Sequence, residues 1–279
     1  MTIEEYFLPD SLLEATQILA EHEDTLLVVA GGTVAMPLIN EGVSTPEKVM
    51  GLNNAGLSYI EKSNGNLTIG AMTSLSTLLA LKSIPMLSEA ARNTGAWTTR
   101  NLGTIGGNLF VPSPAGDVAV ALLALDARVK VANTAGERTI PLVDFFAGFM
   151  SNVMKSDELL VEIVVPIPKG ETAYIKHGRK MANTPAVVTV AAQVTGEASQ
   201  ISDARIALGA VGPHPIRALK AESVLAGSSL DPDVIQKTAA AAADECEPFT
   251  DAVASEWYRR KMVKVIVQRA LSQIAEKEV

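Results

Sequence analysis

Hydrophobic positions in the first part of the chain alternate between helical spacing and short apolar runs. Residues 10–22 carry apolar side chains at helical spacing, which predicts a helix. The continuous apolar run at residues 26–30 predicts a short buried strand. Gly31-Gly32-Thr33 interrupts that strand, and the pattern of residues 34–40 is again helical. We therefore expect the order strand, glycine turn, helix.

The middle of the chain shows the same mixture of patterns. They predict strands at 67–70 and 159–165, a hairpin of 128–132 with 137–140, and helices at 74–80, 86–94 and 118–125. Between Trp97 and the last of these helices lies a polar, glycine-rich stretch from Thr98 to Asp117. A structureless loop of that length inside a compact domain is usually functional or disordered, and the strong helical pattern beside it favours a functional loop.

A proline-rich turn, Pro166-Ile167-Pro168-Lys169-Gly170, is the best domain boundary in the sequence. It predicts one domain over residues 1–168 and another over 169–279. Beyond the turn, the patterns at 174–176, 186–194 and 204–211 predict a small antiparallel sheet. Residues 215–227 and 231–275 are mostly helical in pattern.

Composition excludes several classes of protein. The chain has 279 residues, 48% of them hydrophobic and 19% charged, which is typical of a globular protein. Its net charge of −8 argues against a nucleic-acid partner, which needs a basic face. One cysteine, Cys246, and three scattered histidines make a metal site in this chain improbable. The acidic start and the short apolar runs predict no signal peptide, no direct membrane span and a cytoplasmic protein, with membrane association only through partners.

Two glycine pairs suit the chemistry of a pyrophosphate. The first is Val29-Ala30-Gly31-Gly32-Thr33 and the second is Thr104-Ile105-Gly106-Gly107-Asn108. Glycines let successive backbone N–H groups turn toward one anion, and a helix that begins after Thr33 would add its positive end. The chain lacks a P-loop and the G-x-G-x-x-G pattern. A dinucleotide held by two separate loops therefore fits, although each pair is also compatible with an ordinary turn.

Other charged positions leave two interpretations open. Asp117 can cap the helix that follows it, accept hydrogen bonds from ligand hydroxyls, or do both. Lys176 on its predicted strand is either part of a solvated face, which its position alone favours, or a cation near the electron-accepting end of a cofactor. Residues 258–261, Tyr-Arg-Arg-Lys, indicate a solvated helix face or a partner contact.

Taken in order, several motifs resemble the medium, FAD-binding subunit of molybdenum hydroxylases, the xanthine dehydrogenase, carbon monoxide dehydrogenase and aldehyde oxidase group. The resemblance covers nearly the whole chain. The motifs are Gly31-Gly32-Thr33, residues 101–108 (NLGTIGGN), 113–117 (SPAGD), 121–127 (ALLALDA), 141–146 (PLVDFF), 158–160 (ELL), 204–211 (ARIALGAV) and 258–260 (YRR).

This resemblance implies an α+β fold. It comprises a two-part FAD-binding domain of the vanillyl-alcohol-oxidase type, with parts at about 1–57 and 58–168, and a C-terminal domain of antiparallel sheet plus helices. It also implies the residues that contact FAD. These are Val28, Val29, Ala30, Gly31, Gly32, Thr33, Val34, Ala35, Asn101, Thr104, Ile105, Gly106, Gly107, Asn108, Asp117, Leu160 and Lys176.

Three positions depart from the family pattern near the expected flavin pocket. Thr94 stands where xanthine dehydrogenase-like members have an aromatic residue, ten positions before the second loop. Phe110-Val111-Pro112 replaces a common Cys-Asn-Ala, and Asn183 replaces an acidic residue. The resemblance therefore implies no aromatic ring stacked on the cofactor at Thr94, and it leaves open how the three departures affect the flavin environment.

The function implied is that of an electron-transfer flavoprotein subunit. Substrate would react at a molybdenum-pterin cofactor in a large partner subunit, and electrons would reach FAD through [2Fe-2S] clusters of a small subunit. A dimer of heterotrimers is the expected assembly. No residue of this chain is expected to be catalytic toward the organic substrate. The alternatives are a free-standing FAD oxidase with its own substrate pocket, and a scaffold whose glycine pairs are only turns.

Overall fold

The computed structural model describes residues 3–110 and 116–277. Its first region contains β1 (Glu5–Phe7), α1 (Leu12–His22), β2 (Leu26–Val29), α2 (Ala35–Asn40) and β3 (Lys48–Gly51). The strands β1 and β2 both pair parallel to β3, which lies between them. The expected order of strand, glycine turn and helix is confirmed.

Local chemistry explains where these first elements begin and end. Ser11 caps α1 by accepting the Glu14 N–H, and the Glu14 carboxylate in turn accepts the Asp10 N–H. The prediction of a buried strand at 26–30 is only partly right, because Leu26 is buried while the rest of β2 is half-buried. The second half of β2 therefore leads to an accessible turn.

The middle region is built on an antiparallel sheet in the order β4, β5, β10, β6, β7. Its elements are β4 (Ile60–Ser63), β5 (Asn66–Gly70), α3 (Leu75–Leu78), α4 (Pro85–Asn93), α5 (Trp97–Leu102), α6 (Ile105–Phe110), α7 (Asp117–Ala124), β6 (Arg128–Asn133), β7 (Gly136–Pro141), β8 (Phe146–Gly148), β9 (Ser151–Asn152) and β10 (Leu159–Pro166). The predicted hairpin is confirmed as β6–β7.

The stretch from Thr98 to Asp117 is not structureless over most of its length, whereas its functional role stays a prediction. Two short helices, α5 and α6, occupy it, separated by Gly103 and Thr104. Ser74 and Thr104 form an isolated bridge, so the peptide between the helices is held by hydrogen bonds like a short strand. Residues 111–115 lie outside the described part of the chain.

The last region is a second antiparallel sheet covered by helices. Its elements are β11 (Glu171–Gly178), β12 (Ala186–Glu197), β13 (Gln200–Gly209), β14 (Ile216–Arg217), α8 (Leu219–Leu225), α9 (Pro232–Asp244) and α10 (Glu256–Lys277). The expected α+β class, with sheet and helices at the C-terminal end, is confirmed. The short strand β14 corrects the helical prediction for residues 216–217.

Helix α7 connects the middle and last regions. Every one of its residues is buried, and an apolar helix of this kind must pack on all sides. It lies against α4 on one side and against β12 and β13 on the other. Ala191 and Ala207 of the last sheet accordingly belong to the core of the middle region. This packing places the first residue of α7, Asp117, beside β11 and β12.

Within residues 3–110 and 116–277, no helix combines the length and the apolar character required to cross a bilayer.

Candidate functional site: two glycine loops and a buried ion pair

The first glycine loop connects β2 to α2 and offers backbone donors. Gly32 has φ +68, a left-handed conformation that glycine adopts without strain. The carbonyl oxygen of Gly32 accepts the Met36 N–H, whereas the N–H groups of residues 31–34 have no acceptor within the part of the chain that the structure describes. A run of such N–H groups suits an anion. Since α2 has only six residues, these groups matter more than its dipole.

The structure brings the two glycine loops into direct contact. A Cβ atom on Gly31 would overlap the carbonyl oxygen of Leu102. A Cβ atom on Gly107 would lie 3.8 Å from the Cβ of Ala30. Glycine at these positions therefore lets the two loops approach each other. The contact brings the two loops together, and the expectation that both belong to one cofactor site stays a prediction.

The second loop differs from the first in how its backbone is used. Gly106 donates its N–H to the carbonyl oxygen of Ala71 at 2.9 Å, and Gly107 donates to the Thr104 hydroxyl at 3.1 Å. The N–H groups of Ile105 and Asn108 also have protein acceptors. The prediction that this pair turns its N–H groups toward an anion is therefore wrong. Any contact of this loop with a cofactor must use other atoms.

The remaining uncharged candidates lie around the second loop. The Asn101 carboxamide oxygen accepts a hydrogen bond from Ser76 at 2.5 Å. The carboxamide oxygen of Asn108 is buried and has no partner among the described residues. Leu160 is buried on β10, and its neighbour Val161 accepts the Ala71 N–H, which links this strand to the loop. The unpaired Asn108 oxygen is compatible with a ligand that donates a hydrogen bond.

Asp117 and Lys176 form a buried ion pair at the junction of α7 and β11. The Lys176 ammonium lies 2.6 Å from the Asp117 carboxylate, and both side chains are less than a tenth exposed. The hydroxyls of Tyr174 and Thr189 also donate to this carboxylate, at 3.3 and 3.4 Å. Lys176 donates in addition to the carbonyl oxygen of Asn93, at 2.8 Å. The pair thus joins α7, β11, β12 and the end of α4.

Burial dominates the electrostatics of this cluster. Desolvation raises the pKa of Asp117 to about 6, even though Lys176, Tyr174 and Thr189 all favour its charged form. Burial, followed by the nearby Asp117 charge, raises the pKa of Tyr174 well above its ordinary value. Tyr174 therefore remains a neutral hydrogen-bond donor to the carboxylate.

These contacts correct two expectations. Asp117 is not the N-cap of α7, because Gly116 occupies that position and Asp117 is the first helical residue. Its side chain points to Lys176 instead of capping the helix. The solvated-face interpretation of Lys176 is also wrong, since the side chain is 7% exposed. Tyr174 was missed, although its position two residues before Lys176 on one strand places both on the same face.

A further correction concerns Arg259 on α10. Its side chain is 1% exposed and donates to the carbonyl oxygens of Ala186, Val187 and Ala210. It also forms an ion pair with Asp251 at 2.7 Å. The prediction of a solvated face at 258–261 is therefore wrong for this residue, which anchors the start of β12 to α10.

The positions that depart from the family pattern lie in different settings. Thr94 donates its hydroxyl to the carbonyl oxygen of Ala90 and follows the last residue of α4. Phe110 is half exposed at the end of α6, while Val111 and Pro112, like residues 113–115, lie outside the described residues. Asn183 has φ +47 in the exposed turn between β11 and β12.

Family models match almost the whole chain. Residues 2–168 match the FAD binding domain in molybdopterin dehydrogenase. Residues 172–274 match the CO dehydrogenase flavoprotein C-terminal domain.

Curated relatives are similar over nearly their full length. The glyceraldehyde dehydrogenase medium chain of Sulfolobus acidocaldarius is 31% identical, with 97% of this chain and 98% of the relative covered. The 6-hydroxypseudooxynicotine dehydrogenase complex subunit alpha of Paenarthrobacter nicotinovorans is 34% identical, with 96% and 93% covered.

Solved structures agree in fold. The chain is similar to carbon monoxide dehydrogenase from Hydrogenophaga pseudoflava, with a TM-score of 0.93, 29% identity, and 99% of this chain and 98% of the other covered. It is equally similar to quinoline 2-oxidoreductase from Pseudomonas putida 86, with a TM-score of 0.93, 28% identity, and 100% and 99% covered.

Proposed function

The chain belongs to the family of FAD-binding subunits of molybdopterin dehydrogenases, and we propose that it passes electrons between protein partners and an external acceptor. It is an oxidoreductase flavoprotein subunit with a FAD-binding domain. In this proposal, electrons come from [2Fe-2S] clusters of a small partner subunit. The organic substrate reacts at a molybdenum-pterin cofactor in a large partner subunit.

The observation that carries the proposal is the first glycine loop. Its N–H groups at residues 31–34 point to no protein acceptor in the described residues, and Gly32 has the backbone conformation that exposes them. An unfilled row of backbone donors fits the pyrophosphate of FAD. The buried, unpaired oxygen of Asn108 fits a ligand that donates a hydrogen bond. The residues present therefore fit the cofactor that the family implies.

FAD supplies the redox chemistry when it is bound, and the protein binds, orients and tunes it. Residues 31–34 would hold the phosphates through their backbone N–H groups, and the other residues of the range 28–35 would line the same loop. Residues 101 and 104–108 would shape the adjoining surface, with Asn108 as a side-chain partner. Asp117, Leu160 and Lys176 would complete the site, with the ion pair as its charged part. We assign no catalytic residue toward the organic substrate.

The division of labour among subunits extends the proposal. Relatives carry the words medium chain or complex subunit in their names, which supports large and small partners for this chain. A dimer of heterotrimers, a domain boundary between residues 168 and 169, and a cytoplasmic location stay predictions. The external acceptor is left open by this scheme.

The test begins with the full chain expressed alone and with the complex purified from its native host. The chain alone is expected to bind FAD, seen as absorbance at about 450 nm, and to pass electrons from dithionite to a dye. It is expected not to oxidise the substrate of the complex until the partner subunits are added. Substrate oxidation by the single chain without molybdenum would refute the proposal and favour a free-standing oxidase.

A second arm uses the assembled complex after removal of FAD. We expect it to stay assembled and to reduce its clusters with substrate, while reduction of the external acceptor stops. If acceptor reduction continued at the original rate without FAD, the flavin would not lie on the electron path.

A further inference from the structure

A small cavity lies where α4 ends, between that helix and the end of β11. Its volume is about 130 Å³, and four cationic side chains contribute to its wall: Arg92, Arg100, Lys176 and Lys180. None of the described residues that line it is a carboxylate. Known small-molecule sites usually measure about 300–1,000 Å³, so this cavity suits one compact group and not a second nucleotide.

Two of these cations, Arg100 and Lys180, have no carboxylate partner among the described residues, and Arg100 is the one of the two that is half-buried, whereas Lys180 is exposed to solvent. Its Nη1 donates to the carbonyl oxygens of Arg92, Thr94 and Gly95, at 3.2, 3.3 and 2.8 Å. Its Nε is buried and has no acceptor, and no described carboxylate forms an ion pair with it. A buried N–H without an acceptor is costly, which points to an acceptor supplied from outside the chain.

Lys176 and Arg92 differ from Arg100 because each has a carboxylate close by. Lys176 pairs with Asp117 at 2.6 Å, and Arg92 pairs with Glu89 at 3.4 Å on the exposed side of α4. Their charges are therefore partly offset. An ammonium has three donors, and Lys176 uses two of them on Asp117 and Asn93, which leaves one for a ligand.

The helix α5 links this cavity to the glycine loops. Arg100 lies on α5, and Gly103 follows the end of that helix and begins the second loop. Arg100 precedes Gly103 by three residues, about 4.5 Å along a helix axis, and a Cβ atom on Gly103 would lie 3.6 Å from the Thr33 hydroxyl oxygen of the first loop. The wall of the cavity therefore lies close to both loops. Lys176, one of the cofactor-contact residues proposed above, lines the cavity itself.

We propose that this cavity is an anion-accepting site in which Arg100 supplies the unpaired charge, and that it faces the edge of the flavin ring that carries negative charge after reduction. The inference rests on the proposed FAD function and adds Arg100 as a tuning residue. A cation held beside that edge stabilises the reduced cofactor by Coulomb attraction. The positive charge of the cavity wall thereby favours reduction of the flavin, and with it electron transfer to this subunit.

The test uses sulfite, which adds to an oxidised flavin ring through its sulfur electron pair and leaves negative charge on the ring without any other reactant. Sulfite affinity of the FAD-loaded full chain is measured by loss of flavin absorbance. Arg100→Gln is expected to weaken it about tenfold, because one nearby positive charge is lost. Arg100→Lys should keep most of the affinity, and Arg128→Gln, an exposed arginine outside the cavity, should keep all of it.

Redox titration with dithionite provides a second readout. A tenfold fall in the two-electron reduction equilibrium of Arg100→Gln corresponds to a midpoint about 30 mV lower. Arg100→Gln that keeps FAD with unchanged sulfite affinity and midpoint would overturn the inference while leaving the proposed function intact. Loss of FAD from Arg100→Gln, restored in Arg100→Lys, would show a binding role and equally overturn tuning. Failure of the unaltered chain to bind FAD would instead defeat the proposed function.

Discussion

The candidate site has two parts, the glycine loops and the buried Asp117–Lys176 cluster, which differ in the kind of group that they offer to a ligand. The first loop offers backbone N–H groups whose direction is set by φ at Gly32. The cluster offers full charges whose balance depends on one carboxylate and one ammonium. Backbone donors keep their polarity at any ordinary pH, whereas a buried ion pair responds to protonation. The first part should therefore be sensitive to shape and the second to charge.

The largest expected effect comes from breaking the ion pair on one side. Lys176→Met leaves the buried Asp117 carboxylate without its cation, and loss of one partner of a buried pair typically costs about 3–5 kcal/mol of unfolding free energy. Chemical denaturation of the FAD-free chain measures it. The double variant Lys176→Met/Asp117→Asn should recover most of the loss. If the single and double variants were equally unstable, packing and not charge would explain the effect.

The next effect is a pH dependence that the glycine loops should not show. The folded-state pKa of Asp117 is about 6 and its ordinary value is 3.8. Because the folded value is raised, the stability contribution of the protonated acid is complete below pH 3.8 and is lost as pH rises through about 6. At about 1.4 kcal/mol for each pKa unit, the loss is about 3 kcal/mol.

The measurement compares the unfolding free energy of the FAD-free chain with that of Asp117→Asn across this range. The unaltered chain should lose stability relative to Asp117→Asn as the pH rises from 3.8 to about 6. Above that range, the difference between their unfolding free energies should stay constant. The other carboxylates are the same in both chains, so their pH dependence cancels in this difference. Glu158 is one of them: the neighbouring Arg138 lowers the pKa of Glu158, which gives it a pH trend opposite to that of Asp117. A difference that does not vary with pH would contradict the burial-dominated description of Asp117.

How much of this could be predicted from sequence differs between the two parts. The strand, glycine turn and helix around Gly32 follow from local patterns, and the structure confirms them. Local patterns did not distinguish the second glycine pair from the first, because the acceptor for the Gly106 N–H is the carbonyl oxygen of Ala71. That partner is distant in sequence, and nothing in the pattern of residues 104–108 identifies it.

Long-range packing also explains the errors at charged positions. Lys176 and Arg259 each stand in segments whose local pattern is compatible with a solvated face. The partner of Lys176 lies 59 positions away, and the acceptors of Arg259 on β12 lie 72 and 73 positions away. Burial of a charge depends on such partners and not on neighbours in sequence. The family resemblance supplied Lys176 as a candidate where the local pattern did not.

A smaller effect separates the two glycine loops from each other. A Cβ atom on Gly106 would lie 2.7 Å from the Cβ and 2.8 Å from the carbonyl oxygen of Ala71. Gly106→Ala should therefore lower the unfolding free energy of the FAD-free chain by about 1–3 kcal/mol through overpacking. At Gly212 a Cβ atom would make only ordinary contacts, the nearest at 3.4 Å, so Gly212→Ala is the matched control. If both variants were equally stable, the close packing of Gly106 against Ala71 would not explain why glycine stands in the second loop.

The smallest expected effect tests the first loop as the phosphate-binding part. Gly32→Asn keeps the left-handed backbone at little cost, because Asn tolerates positive φ better than other non-glycine residues. Its side chain nevertheless occupies space beside the N–H groups of residues 31–34. A Cβ atom at this position would lie 3.1 Å from Cγ of the flexible Met36 side chain, which must shift slightly, so we expect a small loss of stability. The FAD affinity should be about tenfold weaker, a difference of about 1.4 kcal/mol.

Fluorescence titration with FAD gives the affinity, and thermal unfolding without FAD gives the stability. Gly65→Asn is the control, because Gly65 also has positive φ and a Cβ atom there would meet nothing within 4 Å. It should change neither quantity. If a folded Gly32→Asn chain bound FAD with unchanged affinity, the phosphates of FAD would not bind at this loop. The comparison between a backbone part and a charged part of the site would then no longer hold.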